Sequence, residues 1–331
     1  MDGLMMEGAL TTNSLIGHAS RFHKETEIVS RTVEGPIHRY TYGDAYRRMH
    51  RLANVLTNLD ISINDRVGTL AWNGYRHFEL YFATSGMGAI CHTINPRLFP
   101  EQISYIINHA KDKIIFCDLT FVPMFESITD QLDSVKAVVI MTDLKNMPET
   151  KLSNVFCYEK LMADVSEDFS WPVIDELHAS SLCYSSGTTG SPKGVLYSHR
   201  STILHSFACC SADGLAISGQ DTVMPVVPMF HVNAWGMPYA CTMAGAKIVF
   251  PGGAMDGKSL AELLTNEKVT FSAGVPTVWL MLLKHLKETG GSLPHLQRTV
   301  VGGSALPQSM IETFEEDYDV ACIHAWGMTE M

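Results

Sequence analysis

The sequence predicts an α/β protein: β-sheets flanked by helices in two lobes. Three observations carry this expectation. Short β-rich runs, too brief for helices, alternate with longer segments whose apolar residues recur at helical spacing. The turns between them are marked by Gly, Pro, Asn and Asp. At 331 residues, 46% of them apolar, the chain is too long for one small core. Alternation of this kind places strands in parallel sheets joined by right-handed crossovers.

The elements follow in order. Thr41-Tyr42-Gly43-Asp44 opens a helix in which Tyr46, Met49, Ala53 and Leu56 share a face. A turn at Asn64-Asp65 precedes a strand over 66–71, a helix over 75–87 and a strand over 90–94. Asn95-Pro96-Arg97-Leu98 follows, and Pro100 starts a helix that ends near Ala110. The runs 114–117 and 137–141 are strands. Residues 142–178, polar and interrupted by Pro148 and Pro172, read as irregular surface connection. Beyond a Gly-rich stretch, strands over 222–227, 247–250, 269–273, 298–301 and 320–324 alternate with helices over 235–244, 259–267, 276–288 and 307–316. The expected lobes are 1–180 and 181–331.

The net charge of −11, from 24 basic and 35 acidic residues with no dense Lys/Arg cluster, argues against a nucleic-acid surface. An anionic ligand must then be held by local groups. The eight cysteines show no C-x-x-C spacing and mostly sit in apolar runs, so free thiols in a reducing, cytoplasmic setting are expected. The first residues lack a basic segment followed by an apolar core, and no run reaches the ~18–20 apolar residues of a membrane span.

Chemistry concentrates in four places. The first is Tyr184-Ser-Ser-Gly-Thr-Thr-Gly-Ser-Pro-Lys-Gly194. Glycines let backbone N–H groups approach an anion, hydroxyls add donors, and Lys193 adds a mobile charge, which together suit a polyphosphate. It is not a Walker A loop: Pro192 stands where the second Gly belongs, and Gly194 where Ser or Thr is required. The second is Pro228-Met-Phe-His-Val-Asn-Ala-Trp-Gly236, at the end of a strand, where open α/β sheets gather ligands. By itself His231 reads more often as a satisfied structural histidine, and Trp235 as core packing. The third is Val301-Gly-Gly-Ser-Ala-Leu-Pro307, a strand–turn–helix junction that reads equally as a tight turn. The fourth is His324-Ala-Trp-Gly-Met-Thr-Glu330, where a carboxylate stands beside a hydroxyl.

In this order and spacing the four segments resemble the signature motifs of the adenylate-forming superfamily, most of all its medium- and long-chain fatty acyl-CoA synthetases. The resemblance runs from Tyr40-Thr41-Tyr42-Gly43 to Glu330. It implies the large N-terminal domain of such a ligase, acting on ATP, a carboxylic acid and coenzyme A with Mg²⁺. It implies that Ser185, Ser186, Gly187, Thr188, Thr189, Gly190 and Lys193 meet the phosphates, and that Thr329 meets the α-phosphate. Glu330 with Ser185 would hold Mg²⁺. Gly303, Ser304, His324, Ala325, Trp326 and Gly327 would border the nucleotide, with Val232 and Trp235 nearby. His231 would meet the reacting carboxylate. Gly274, Val275, Pro276, Val232, Trp235, Gly302 and Gly303 would line the acid site. Members of that family continue past Met331 with a ribose-binding aspartate, a hinge and a small mobile domain. The expectation is therefore that this chain alone has negligible ligase activity, a naturally short nucleotide- or acyl-binding module being the alternative. A homodimer is expected from the frequency of C2 assemblies.

Overall fold

The computed structural model describes residues 1, 3–5, 7–185 and 191–331. In chain order its strands are β1 (Glu27–Arg31), β2 (Ile37–Thr41), β3 (Arg66–Leu70), β4 (Ile90–Thr93), β5 (Asp112–Cys117), β6 (Ala137–Ile140) and β7 (Val155–Cys157). They continue with β8 (Ala179–Tyr184), β9 (Gly194–Ser198), β10 (Thr222–Pro225), β11 (Lys247–Phe250), β12 (Phe271–Gly274), β13 (Arg298–Val301) and β14 (Ala321–His324). They form two seven-stranded sheets, ordered β7-β6-β5-β3-β4-β8-β9 and β14-β13-β12-β10-β11-β1-β2. Every pairing is parallel except the two hairpins β8–β9 and β1–β2, which close one edge of each sheet.

The expected α/β class, sheets flanked by helices, is what the structure has. Sheet membership nevertheless crosses position 180: β1 and β2 join the later strands, and β8 and β9 the earlier ones. A shared apolar core explains this interleaving. Helices Thr12–Phe22, Tyr42–Asn58, Tyr75–Gly86 and Met237–Ala244 contribute Ile16, Leu52, Phe78 and Tyr239 to one cluster that also takes Val67 and Phe116 from the first sheet and Val223 and Phe250 from the second. The outer faces have their own clusters, under Pro100–Ala110 on one side and under Gly257–Asn266 and Pro276–Thr289 on the other.

Helix Tyr42–Asn58 begins at the capping box that the sequence announces, Thr41 accepting from the Asp44 amide while Asp44 accepts from the Thr41 amide. Helix Tyr75–Gly86 is buried at every position, so its polar side chains must find partners inside. Arg48 Nε donates to Glu79 Oε1 at 2.6 Å, Tyr158 donates to Glu79 Oε2 at 2.6 Å, and Thr69 Oγ1 lies 2.9 Å from His77 Nε2.

Four differences from the sequence reading have physical causes. A helix at Thr12–Phe22 and the hairpin β1–β2 precede the first expected element. The stretch 142–178 is not wholly irregular: it holds β7 and a helix at Tyr158–Ala163 whose Tyr158 reaches the core. A further helix, His199–Cys210, follows β9; its apolar residues are scattered around the axis, with Ile203 buried while Leu204 and Phe207 are exposed. The helix expected over 235–244 is right-handed only from Met237.

At the opposite, amino-terminal edge of the second sheet, Asp221 accepts two hydrogen bonds from Arg298 (3.1 and 3.0 Å), one from Thr270 Oγ1 (2.8 Å) and one from the Ser218 amide (2.9 Å). Burial alone would raise the Asp221 pKa, but these partners, Arg298 foremost, hold it below its ordinary 3.8. A depressed folded-state pKa gives stability that is present above 3.8 and lost as pH falls through the folded value. Asp221→Asn should therefore cost about 2 kcal/mol at neutral pH. In urea titrations its deficit relative to wild type should shrink in the acid range below 3.8.

Candidate active site

The sequence motifs meet at the carboxyl ends of the strands. Register places Gly274 beside Val301 and Val301 beside His324, so the chain leaves β12, β13 and β14 at one level. The Gly302 amide donates to the Gly274 carbonyl (3.3 Å), and the Ala325 amide to the Val301 carbonyl (2.9 Å). Gly274, Val275, Gly302, Gly303 and Ala325 thus form one floor, with the buried Pro276 behind them as the first residue of its helix. A Cβ on Gly302 would stand 2.8 Å from the Ala325 carbonyl oxygen and 3.2 Å from Trp235 Cη2, so only glycine leaves this groove open. Gly303 has φ +82°, a conformation side chains disfavour, with Val275 against it. Ser304, His324, Trp326 and Gly327 are exposed along the rim.

The segment after β10 carries His231. Pro225 and Pro228 keep it from extending the ladder, and Asn73 on the first sheet's side holds it instead. Asn73 Nδ2 donates to the carbonyls of Pro225 (2.8 Å) and Val227 (2.9 Å), while its Oδ1 accepts from the Met229 amide (2.6 Å). The Tyr81 hydroxyl donates to the Met229 carbonyl. His231 is exposed, yet the surrounding protein and then the Arg97 charge hold its pKa below 6.5, so it is neutral at pH 7. Arg97 lies 5.7 Å from the Phe230 ring centroid, on the segment that follows β4.

Next comes a turn that sequence reasoning missed. Val232, Asn233, Ala234 and Trp235 all have φ between 48° and 53°, and Gly236 has φ 70°. Left-handed backbone costs a non-glycine residue roughly 1–2 kcal/mol, so the fold must compensate. The buried Asn233 supplies part of this: its Nδ2 donates to Ser181 Oγ at 2.8 Å, and its Oδ1 accepts from the Cys183 thiol at 3.3 Å. The turn stands Trp235 over Gly302. Behind the indole lies an open cavity lined by Tyr197, His205, Val232, Trp235, Tyr239 and Met331, among others.

The glycine-rich loop springs from the β8–β9 hairpin. Tyr184 pairs with Gly194, and the Ser185 amide donates to the Lys193 carbonyl at 2.9 Å. Lys193 is exposed; Ser186, Gly187, Thr188, Thr189 and Gly190 lie outside the described residues. Across the groove Thr329 is buried and Glu330 exposed, and the Tyr197 hydroxyl donates to the Thr329 carbonyl. An exposed carboxylate is a hard oxygen donor of the kind that suits Mg²⁺, which keeps few protein ligands. Among the described residues no three His, Cys, Asp or Glu side chains converge. All eight cysteines are free, and six are buried. No helix among the described residues is long and apolar enough to cross a membrane.

Asn73, Tyr81, Arg97 and Tyr197 lie outside the four segments, and Asn233 lies inside the second without a role of its own. Arg97 and Asn73 carried one signal, a place just beyond a strand's carboxyl end.

Comparison with known proteins bears on the family and the fold. Residues 17–331 match the family described as AMP-binding enzyme. A 3-methylmercaptopropionyl-CoA ligase of Ruegeria lacuscaerulensis is 52% identical and a medium-chain-fatty-acid–CoA ligase of Ectopseudomonas oleovorans 49% identical, each over the whole chain and 61% of its own length. A long-chain-fatty-acid–CoA ligase of Thermus thermophilus is 46% identical over 98% of the chain and 58% of its own length. The chain thus spans about three fifths of the length of these curated relatives. Among solved structures, an anthranilate CoA ligase in complex with anthranoyl-AMP superposes with TM-score 0.88 at 20% identity, covering all of this chain and 62% of that one. A long-chain-fatty-acid–CoA ligase from Archaeoglobus fulgidus gives 0.85 at 20% identity, covering 98% and 65%. The chain belongs to the AMP-binding enzyme family.

Proposed function

We propose that the chain forms the nucleotide- and acid-binding part of an ATP-dependent acid–CoA ligase that activates a medium- or long-chain aliphatic acid. The observation that carries this reading is the strand-end floor of Gly274, Gly302 and Gly303, with Trp235 over Gly302 and a cavity behind the indole lined by Tyr197, His205, Val232, Trp235 and Tyr239, among others.

A carboxylate resists nucleophiles because its charge is delocalised. In the proposed reaction its oxygen attacks the α-phosphorus of ATP, pyrophosphate leaves, and the acyl-adenylate carbonyl then accepts the thiol of CoA as AMP departs. The protein's part is positioning and charge stabilisation. Neutral His231 would donate a hydrogen bond to the acid's carboxylate without neutralising it. The Thr329 hydroxyl would meet the α-phosphate, and Lys193 the outer phosphates. Glu330 with Ser185 would hold Mg²⁺ there, the ion supplying charge neutralisation. Gly303, Ser304, Ala325, Trp326 and Gly327 would border the adenine, and the cavity beyond Trp235 would take the chain of the acid. The names of the relatives support an aliphatic or thioether acid.

A hydrolysis-resistant octanoyl-adenylate mimic tests this directly, because it fills both halves of the site. In calorimetric titration the chain should bind it at least ~100-fold more tightly than octanoate or AMP separately, since linking the halves makes the second contact intramolecular. Affinity no better than that of AMP would overturn the reading.

A further inference from the structure

We propose that Tyr197 is a positioning residue that aims Thr329 and Glu330 by clamping their shared backbone to the hairpin under the glycine-rich loop. The inference rests on the ligase reading above. Tyr197 sits on β9, the edge strand of the first sheet, whereas Thr329 and Glu330 follow β14, the edge strand of the second. Its hydroxyl donates to the Thr329 main-chain carbonyl, a contact between residues 132 positions apart.

The same strand begins at Gly194, next to Lys193, and the Ser185 amide closes the loop's base on the Lys193 carbonyl. Ser181, opposite Tyr197 in the register, accepts the Asn233 side chain that anchors the left-handed turn. The β8–β9 hairpin therefore bears on the base of the loop, on the Trp235 turn through Ser181 and on the Thr329–Glu330 segment through Tyr197. The aromatic ring has a second task, since it lines the cavity together with Met331.

These two tasks separate in one substitution. Tyr197→Phe keeps the ring and loses the donor. Without it the peptide between Thr329 and Glu330 is free to turn, and hydroxyl and carboxylate lose their aim together. A neutral hydrogen bond of this kind is worth about threefold to tenfold in affinity.

The experiment titrates ATP into wild type and Tyr197→Phe at a series of Mg²⁺ concentrations, and octanoate into both. The variant should bind Mg-ATP about threefold to tenfold more weakly and need correspondingly more Mg²⁺ for half-maximal binding, with octanoate affinity within about twofold of wild type. A merely structural role would not move the Mg²⁺ requirement. If Mg-ATP affinity and Mg²⁺ requirement both stay within twofold, the tyrosine's role is overturned while the ligase reading stands. If wild type binds neither ATP nor octanoate, the ligase reading itself fails and the tyrosine's role with it.

Discussion

Asn73→Ala should lower the stability of the protein by on the order of 3–4 kcal/mol. Asn73 is 1% exposed and serves three main-chain groups of the segment leading to His231. Alanine leaves the Pro225 and Val227 carbonyls and the Met229 amide without that partner in a buried place, and each such loss costs about 1–3 kcal/mol before relaxation. The prolines at 225 and 228 leave the segment few other ways to satisfy itself. Function should fall with stability, because the released segment carries His231 and the left-handed turn after it. The octanoyl-adenylate mimic should bind at least ~10-fold more weakly even under conditions where the variant is folded. Tyr81→Phe gives a graded check: it removes only the hydroxyl that supports the Met229 carbonyl and should cost about 1 kcal/mol. Urea unfolding measures both. An Asn73→Ala midpoint equivalent to less than 1 kcal/mol of loss would mean that the segment holds itself in place.

That Asn73 was illegible in the sequence, while Gly302 and Glu330 were not, has a physical basis. A strand followed by glycines, or a Thr-Glu pair, can be singled out as a candidate because the residues involved are neighbours in the chain. Asn73 looks like an ordinary turn residue after a strand; its partners lie more than 150 positions away and become visible only when the two sheets close on each other. Helix Tyr75–Gly86 shows the same limit: Arg76, Glu79, Thr84 and Ser85 suggest a wet face, yet all are buried between two sheets. The helix His199–Cys210 went unread for the opposite reason, since residues on the same stretch face both core and solvent without a clean stripe. The left-handed turn is hardest of all. Val, Ala and Trp resist that backbone, so nothing local predicts it, and it stands because Asn233 is held by β8. Strand positions in the second half were legible because β10 to β13 each run into Gly or Pro, while their order in the sheet was not read.

Trp235→Ala should move the preferred acid toward longer chains. The indole stands 3.2 Å from the place where a Gly302 side chain would begin and also lines the cavity, so it separates the groove at Gly302 from the space near His205 and Tyr239. On the proposed reading, an acid whose carboxylate meets His231 would pass its chain by this ring. Each methylene that leaves water gains about 0.8 kcal/mol, close to fourfold in affinity. In wild type that gain should run until the chain meets the indole or the cavity end, then stop or reverse. Alanine widens the way from groove to cavity and adds the indole's own space to it, so the gain should continue over several further carbons. Tetradecanoate should then bind roughly 10- to 100-fold more tightly to the variant than to wild type, four carbons of added burial being worth about that range after partial loss to chain ordering. Short acids should respond in the other direction: octanoate loses its contact with the ring and should weaken by about tenfold. Titrating saturated acids of even carbon number into both proteins separates the possibilities. An unchanged optimum with uniformly weaker binding would make Trp235 a packing residue, and the route of the acid would then have to run elsewhere, along Val275 and Gly303.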